Sequence, residues 1–429
     1  MNEEKKKKAA ERLIVKFGGS SLADGQSIAR AIDSVIKKAK EGSQVVVVVS
    51  AMGKTTDFLI ETATQACGGK IPGDILDEIM AMGERTCARI FSAGLKARGQ
   101  KSLYLDPKEP NWPILTDSRF NNARPILQVC EKLIRSSIES LIRDGTVVVV
   151  PGFVGKTKDG KITTLGRGGS DITALILAGA LNADQLILVT DVDGIMTADP
   201  KIVRNPKKLD EINVDTLIGL ADSGTKFIHK KALRYKKPNI NIKVINSSSG
   251  DLDSGGTIIH GSFPNSIVVD SYPKPAMAVT IVGERASESF ETLTNVFKEV
   301  RKIGLPLLGM SINHNSLILY LPMDKSEELL EALHSLVIKD KRAIALAVRR
   351  GMAFIRVKGV ELEETPGVIS KITEALNSAN INIYGIFTIT SSVELFVDIN
   401  NEGKAIQLIK EALKTSGEDV NLKKEGEMI

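Results

Sequence analysis

Two kinds of hydrophobic pattern alternate along the chain as far as Gly261. Arg12–Phe17 and Gln44–Ser50 are nearly unbroken runs of apolar, largely β-branched residues, the pattern of strands buried on both faces. Each is followed by a glycine-containing turn and then by helical spacing. The same strand signal recurs at Ser102–Leu105, Thr146–Val150, Gln185–Thr190 and Asn241–Ile245. Helical spacing falls between the runs, over Ala29–Lys40, Asp74–Arg98, Ala123–Arg143, Ser170–Leu181 and Thr225–Tyr235. This alternation predicts an α/β fold, a mainly parallel sheet sandwiched by helices, with ligands held outside the carboxyl ends of the strands. Lys16–Ser21, Ser50–Gly53 and Thr190–Asp191 lie at such ends.

Beyond Gly261 the texture changes, and Pro264, Pro273 and Pro275 mark a linker. A repeat follows. Met277-Ala278-Val279-Thr280-Ile281-Val282 opens one copy and Met352-Ala353-Phe354-Ile355-Arg356-Val357 the next. Each continues with a helix, a hairpin and a second helix, Ser326–Leu336 in one copy and Gly403–Leu413 in the other. Two βαββα units have bare sheet edges and uncovered faces, so they pair with each other or across a dimer. The domains expected are 1–265, then 276–345 completed by 414–429, then 346–413. In the second copy Thr365-Pro366-Gly367-Val368, Ala379-Asn380-Ile381-Asn382-Ile383 and Thr388–Val397 resemble the ACT domain, a module that binds amino acids as regulators. The first copy has Arg285–Phe290 in place of the Pro-Gly loop.

Composition narrows the class. Of 429 residues, 42% are hydrophobic and 25% charged, and no apolar run reaches membrane-spanning length. The lysines at Lys5–Lys8 run into a strand rather than a signal-peptide core, so a cytoplasmic location with no membrane partner is expected. The net charge is +5 and only 4% of residues are aromatic, which argues against a nucleic-acid partner. The basic stretch Lys226–Lys243 reads as a solvated helix face. Cys67, Cys87 and Cys130 are too few and too scattered for a disulfide framework or a zinc site and read as small buried residues.

The chemistry concentrates in a few loops. Leu165-Gly166-Arg167-Gly168-Gly169-Ser170-Asp171-Ile172-Thr173 combines glycines that bare the backbone N–H groups, Ser170 and Asp171 as helix caps, and one guanidinium. An arginine that grips a carboxylate or phosphate and an aspartate that holds an amine suggest a zwitterionic ligand. An ordinary helix start with a solvent-exposed arginine would read the same way. Lys16-Phe17-Gly18-Gly19-Ser20-Ser21 makes a second anion-cradling turn. Gly53-Lys54-Thr55 imitates the end of a P-loop, but Val48 stands where the earlier glycine is required. No Gly-x-Gly-x-x-Gly follows the first strand, which excludes a dinucleotide fingerprint.

Lys16-Phe-Gly-Gly-Ser, Ser50-Ala-Met-Gly-Lys-Thr-Thr56, Met82-Gly-Glu84-Arg, Thr164-Leu-Gly-Arg-Gly-Gly-Ser-Asp171 and Thr190-Asp191-Val-Asp-Gly-Ile-Met-Thr-Ala-Asp-Pro200 occur in this order. Together with the ACT-like pair they resemble the aspartate kinases of the amino acid kinase family, over Arg12 to about Leu413. The resemblance implies transfer of a phosphoryl group from ATP to the side-chain carboxylate of L-aspartate, the first step towards lysine, methionine and threonine. It also implies Mg²⁺ carried mainly on the ATP phosphates, an amino-acid effector at the ACT-like domains, and a homodimer or higher oligomer. By the family pattern Lys16, Arg167 and Asp171 are catalytic. Lys16, Phe17, Gly18, Gly19, Ser50, Thr190, Asp191, Met196, Lys201 and Lys226 meet the nucleotide. Thr56, Glu84, Arg167, Gly168, Gly169, Ser170 and Asp171 form the substrate pocket, with Arg167 on the α-carboxylate and Glu84 and Asp171 on the ammonium group. Met196 and Lys201 depart from the aromatic residue and the arginine that the family often carries, and Lys230 replaces a proline. Without the resemblance, Glu84 reads as an exposed carboxylate in a long helix. A carboxylate nucleophile is ionised at neutral pH and needs no catalytic base, in keeping with only four histidines. The competing readings are another phosphotransferase of the same family and a non-catalytic amino-acid sensor.

Overall fold

Valine stretches decide where the centre of the first sheet lies. Val45–Val49 and Val147–Val150 are at most 2% exposed, and strands apolar on both faces are stable only between two covering layers. The computed structural model describes residues 10–199, 201–222, 228–264, 267–283, 290–340, 342–359, 362, 366–389 and 391–414. The chain divides into two units, Met1–Phe263 and Pro264–Ile429.

The first unit runs β1 (Arg12–Phe17), α1 (Gly25–Lys40), β2 (Gln44–Val49), α2 (Thr55–Ala66), α3 (Gly73–Ala97), β3 (Ser102–Tyr104), α4 (Leu127–Arg143) and β4 (Val147–Pro151). A hairpin of β5 (Val154–Lys156) and β6 (Ile162–Thr164) leads to α5 (Gly169–Leu181) and β7 (Gln185–Thr190). Then come β8 (Glu211–Asn213), α6 (Val214–Asp222), α7 (Lys230–Leu233), β9 (Asn241–Asn246) and β10 (Thr257–His260). Eight strands form one sheet in the order β3-β4-β2-β1-β7-β9-β10-β8. Every pairing in it is parallel except β9 with β10. The alternating pattern therefore predicts the architecture correctly.

The site's location follows from the strand order. The chain leaves β1 for β2 on one side and returns to β7 on the other, with Val15 paired to Val47 and to Ile187. Such a reversal opens a crevice outside the carboxyl ends of β1 and β7. Leu13, Val15 and Phe17 point into a cluster with Ile28, Ile32 and Val35 of α1 and Phe91 and Leu95 of α3. The period of two sends Ile14 and Lys16 to the opposite face, where α5 packs on β1, β2 and β7.

Helix boundaries differ from the apolar spacing where local chemistry intervenes. α1 begins before Ala29 because Asp24 caps it, its Oδ1 accepting the Ser27 N–H at 2.8 Å. α4 begins at Leu127 rather than Ala123. Pro125 disfavours helix in the residue before it, and the Ala123 N–H donates instead to Thr164 O at 2.8 Å. Within Lys226–Lys243, Lys231 and Lys236 do not belong to a solvated face, being only 7% and 2% exposed. Their stems are buried, and ammonium groups of the stretch donate to carbonyls, Lys236 to Gly261 O, Lys237 to Gly179 O and Lys243 to Leu252 O. Cys87 and Cys130 are buried as expected, whereas Cys67 is exposed just beyond α2.

The second unit comprises β11 (Val268–Ser271), β12 (Ala276–Gly283), α8 (Phe290–Ile303), β13 (Gly309–Asn313), β14 (Ser316–Pro322) and α9 (Ser326–Lys339). It continues with β15 (Ala343–Lys358), α10 (Val368–Ser378), β16 (Gly385–Ile389), β17 (Ser392–Asp398) and α11 (Glu402–Lys414). The repeat is thus β12-α8-β13-β14-α9 and β15-α10-β16-β17-α11. β15 belongs to both copies. Its first half pairs with β12 (Val348 to Val279) and its second with β17 (Ile355 to Leu395), with Gly351 at φ +74° between them. The strand therefore runs straight through 345–346, where two domains were expected to meet.

Val268–Ser271, inside the proline-marked linker, is also a strand. β11 pairs antiparallel with β15, and Val269 is buried against Ile355 and Val357, because an open sheet edge offers unpaired backbone groups to any extended segment nearby. The helices of each copy cover one face of its strands. The remaining faces meet in an aromatic cluster in which Tyr320 stacks on Phe396 with ring centroids 4.2 Å apart. The uncovered faces accordingly pair with each other. Gly367 precedes α10 with φ +81°. Thr365, most of the Arg285–Phe290 loop and all of 414–429 except Lys414 lie outside the described residues. Among the described residues no helix is long and apolar enough to cross a membrane.

Candidate active site

The turn after β1 is laced to its neighbours by backbone hydrogen bonds. Gly18 N–H donates to Val189 O at 3.0 Å, Ser50 N–H to Phe17 O at 3.2 Å and Gly53 N–H to Gly19 O at 3.1 Å. The Ser21 hydroxyl adds a bond to Val189 O at 3.2 Å. The ends of β1, β2 and β7 are thereby drawn together. A Cβ at Gly19 would stand 3.0 Å from Ala51 O and 3.2 Å from Gly53 O, so the turn closes this tightly only on glycine.

Lys16, facing α5, meets the first turn of that helix. Its Nζ lies 2.7 Å from Asp171 Oδ1, with the two side chains 16% and 11% exposed. The helix is led in by Gly166 and Gly168, both at φ above +70°, and it starts at Gly169. Ser170 and Asp171 therefore sit inside the first turn, and no side chain caps the helix, a correction to the capping role expected of them. The residues after Ser170 in α5 are all buried, and the unsatisfied N–H groups of its first turn make this end positive. Ser50 Oγ and Ser170 Oγ are 3.1 Å apart. A Cβ at Gly168 would come within 2.4 Å of the His229 Cβ and one at Gly169 within 2.6 Å of the Phe153 ring. Arg167 is exposed.

Glu84, expected to be exposed, is 5% exposed. Burial pushes its carboxyl up to about 7, with the backbone N–H groups of Glu84 itself and of Ala51 pulling the other way. Glu84 Oε2 and Thr56 Oγ1 are both buried without a hydrogen-bond partner. A Cβ at Gly83 would meet Ala51 Cβ at 2.7 Å and Thr56 Oγ1 at 3.2 Å, so α3 is seated against the 51–56 segment just before Glu84. Buried polar atoms left unsatisfied call for a ligand or water.

Among the candidate nucleotide residues, Thr190 ends β7 beside β1 and its hydroxyl donates to Asp191 Oδ1 at 3.1 Å. Asp191 is exposed and Met196 half-buried, with Met196 bridged to Lys208. Lys201 is exposed, its N–H donating to Asp199 Oδ1 at 2.8 Å, and among the described residues nothing ties it to the Lys16–Asp171 pair. Lys226 lies outside the described residues.

Residues 11–246 match the amino acid kinase family. Aspartokinase of Mycobacterium tuberculosis (strain ATCC 25618 / H37Rv) is 30% identical over 421 residues, 95% of this chain and 97% of that protein. The chain belongs to the amino acid kinase family. Aspartokinase 2 of Bacillus subtilis (strain 168) is 30% identical over 417 residues, 94% of this chain and 98% of the relative. A crystal structure of aspartate kinase from Synechocystis superposes with a TM-score of 0.78 at 26% identity, covering 94% of this chain and 69% of that one. Escherichia coli aspartokinase III, solved with lysine and aspartate, shares the fold at a TM-score of 0.53 and 23% identity, covering 94% and 100%.

In this amino acid kinase some residues that shape the site carry no signal in the sequence. Lys231 Nζ donates to Leu165 O at 3.0 Å and to Asn122 Oδ1, holding the segment that leads into Gly166. Asp77, fully buried on α3, accepts from Thr164 and Asn121. Arg85, next to Glu84, pairs with Asp106 at 3.0 Å. Only the position of Asp77, two helical turns before Glu84, offers a hint in the sequence, since both then fall on one face of α3.

Proposed function

We propose that this amino acid kinase transfers the γ-phosphoryl group of ATP to the side-chain carboxylate of L-aspartate, releasing ADP and 4-phospho-L-aspartate. Two groups left unused by the protein support the reading. Arg167 is a cation with no protein partner among the described residues, and Glu84 is a buried carboxylate with one bare oxygen. A guanidinium for the α-carboxylate and a carboxylate for the ammonium describe an amino acid. Gly168, Gly169, Ser170 and Thr56 line the same pocket in this reading.

One carboxylate oxygen of the substrate attacks the γ-phosphorus as the bond to the β-phosphate oxygen breaks, so no proton has to be removed from the nucleophile. Catalysis is then positioning and charge neutralisation. Lys16 and the Gly19 N–H neutralise the transferring group, the Gly18 N–H being held by Val189 O, and Asp171 fixes the Lys16 ammonium in place. Phe17, Ser50, Thr190, Asp191, Met196, Lys201 and Lys226 serve the nucleotide. Among the described residues no three His, Cys, Asp or Glu side chains gather into a metal site. In this reading Mg²⁺ is held mainly by the nucleotide phosphates, with Asp171 the carboxylate beside Lys16. The metal supplies further neutralisation of the phosphate charge.

The product, an acyl phosphate, is placed at the head of lysine, methionine and threonine synthesis in the cytoplasm. The repeated ACT-like units support feedback by an amino-acid effector and assembly as a homodimer or larger oligomer. Incubation with ATP, Mg²⁺ and aspartate followed by hydroxylamine is expected to give aspartyl hydroxamate. Faster product from glutamate would point to another carboxylate acceptor, and ATP binding without any product would reduce the protein to a sensor.

A further inference from the structure

Asp77 is 0% exposed, yet among the described residues no lysine or arginine pairs with it. Its carboxylate is satisfied by neutral donors alone, the Asn121 N–H at 2.9 Å, the Thr164 N–H at 3.0 Å and the Thr164 hydroxyl at 2.6 Å. Burying an ion without a counter-charge is costly, and hydrogen bonds to an ionised acceptor are the strong ones.

The two segments it holds both border the proposed substrate loop. Thr164 leads directly into Leu165, Gly166 and Arg167. Asn121, at φ +67°, leads into Asn122, whose Oδ1 stands 2.7 Å from where a Cβ would lie at Gly166. Lys231 closes the circuit by donating to Leu165 O and to Asn122 Oδ1. Asp77, Thr164, Leu165, Lys231, Asn122 and Asn121 thus form a ring. It ties the helix that carries Glu84 to the loop that carries Arg167.

We propose that Asp77 is a positioning residue for the amino-acid substrate, setting through this ring the separation of Glu84 and Arg167. The proposal rests on the reading of those two residues as the ends of the aspartate pocket. Nucleotide contacts at Lys16–Gly19 and Thr190 lie on other elements, so the effect falls on one substrate.

The test measures steady-state constants of the full chain by hydroxamate formation for wild type, Asp77→Asn and Thr164→Val. Asp77→Asn removes the ionised acceptor at constant size, and Thr164→Val removes only the hydroxyl donor. The KM for aspartate is expected to rise on the order of tenfold in Asp77→Asn and about threefold in Thr164→Val, with the KM for ATP within about twofold of wild type. An unchanged aspartate KM, or equal rises for both substrates, overturns the proposal. If Asp77→Asn does not fold, the two constants of Thr164→Val decide. A wild-type chain that yields no hydroxamate overturns the kinase reading and this proposal with it, whereas an active wild type with insensitive variants overturns the positioning role alone.

Discussion

Lys16 at the end of β1 and Asp171 in the first turn of α5 form an ion pair 2.7 Å long, largely withdrawn from water. The pair joins two turns that are far apart in sequence, the glycine turn after β1 and the loop that opens α5. In the proposed reading, phosphoryl transfer occurs between them.

Lys16→Met is expected to lower kcat by about 10²–10³. Because Asp171 acts here through Lys16, the double variant Lys16→Met with Asp171→Asn should be little worse than Lys16→Met alone. Multiplicative losses in kcat would show that the two residues work independently.

Among the described residues no protein group accepts from Arg167, so Arg167→Ala should leave thermal stability within about 0.5 kcal/mol of wild type. Its cost should fall on the ligand, with the KM for aspartate rising by about 10- to 100-fold through loss of a hydrogen-bonded charge. ATP dependence should change little. Equal rises for the two substrates would move the loop to the nucleotide.

Glu84 is expected to make stability and, in the proposed reading, aspartate binding depend on pH. Its carboxyl is raised by burial from the usual 4.5 to about 7, so the folded, ligand-free protein holds that proton more tightly than the unfolded chain. The group favours folding below pH 4.5 and loses that contribution as pH rises through about 7. Glu84→Gln should therefore exceed wild type in stability above pH 7 by up to about 3 kcal/mol, and the gap should close towards pH 4.5. Denaturant titrations across that range measure it. For wild type, kcat/KM for aspartate should rise with pH through about 7 as the carboxylate ionises to receive the ammonium group. Glu84→Gln should lack that limb.

Tyr320 and Phe396 stack across the two ACT-like copies at 4.2 Å. Phe396→Ala should destabilise the second unit by about 3–5 kcal/mol. The single tryptophan, Trp112, is buried in the first unit, so its fluorescence reports only that unit. The far-UV dichroism transition in urea should move to lower concentration while the tryptophan transition stays in place. A common shift would show that the units unfold together.

Much of this protein was legible because the signals are local. Continuous valine runs demand burial on both faces wherever they lie, and glycine-rich turns between strand and helix mark where the backbone bends sharply whatever its distant partners. Hence the mainly parallel sheet and the glycine turns at the ends of its strands could be read before any packing was known. The order of the motifs pointed to the family.

The chain's own order of residues does not contain its desolvation. Glu84 reads as a surface carboxylate until α3 is pressed against Ala51 and Thr56, and Lys231 and Lys236 read as surface lysines until carbonyls of other segments receive them. β11 reads as linker because strand pairing depends on an edge that exists only once β15 has folded. Local propensity and periodicity therefore determined the elements and the chemical groups. Tertiary packing alone decided which charges are buried, which are paired, and which, like Arg167, stay exposed without a partner among the described residues, because burial and pairing are properties of what lies across the gap rather than along the backbone.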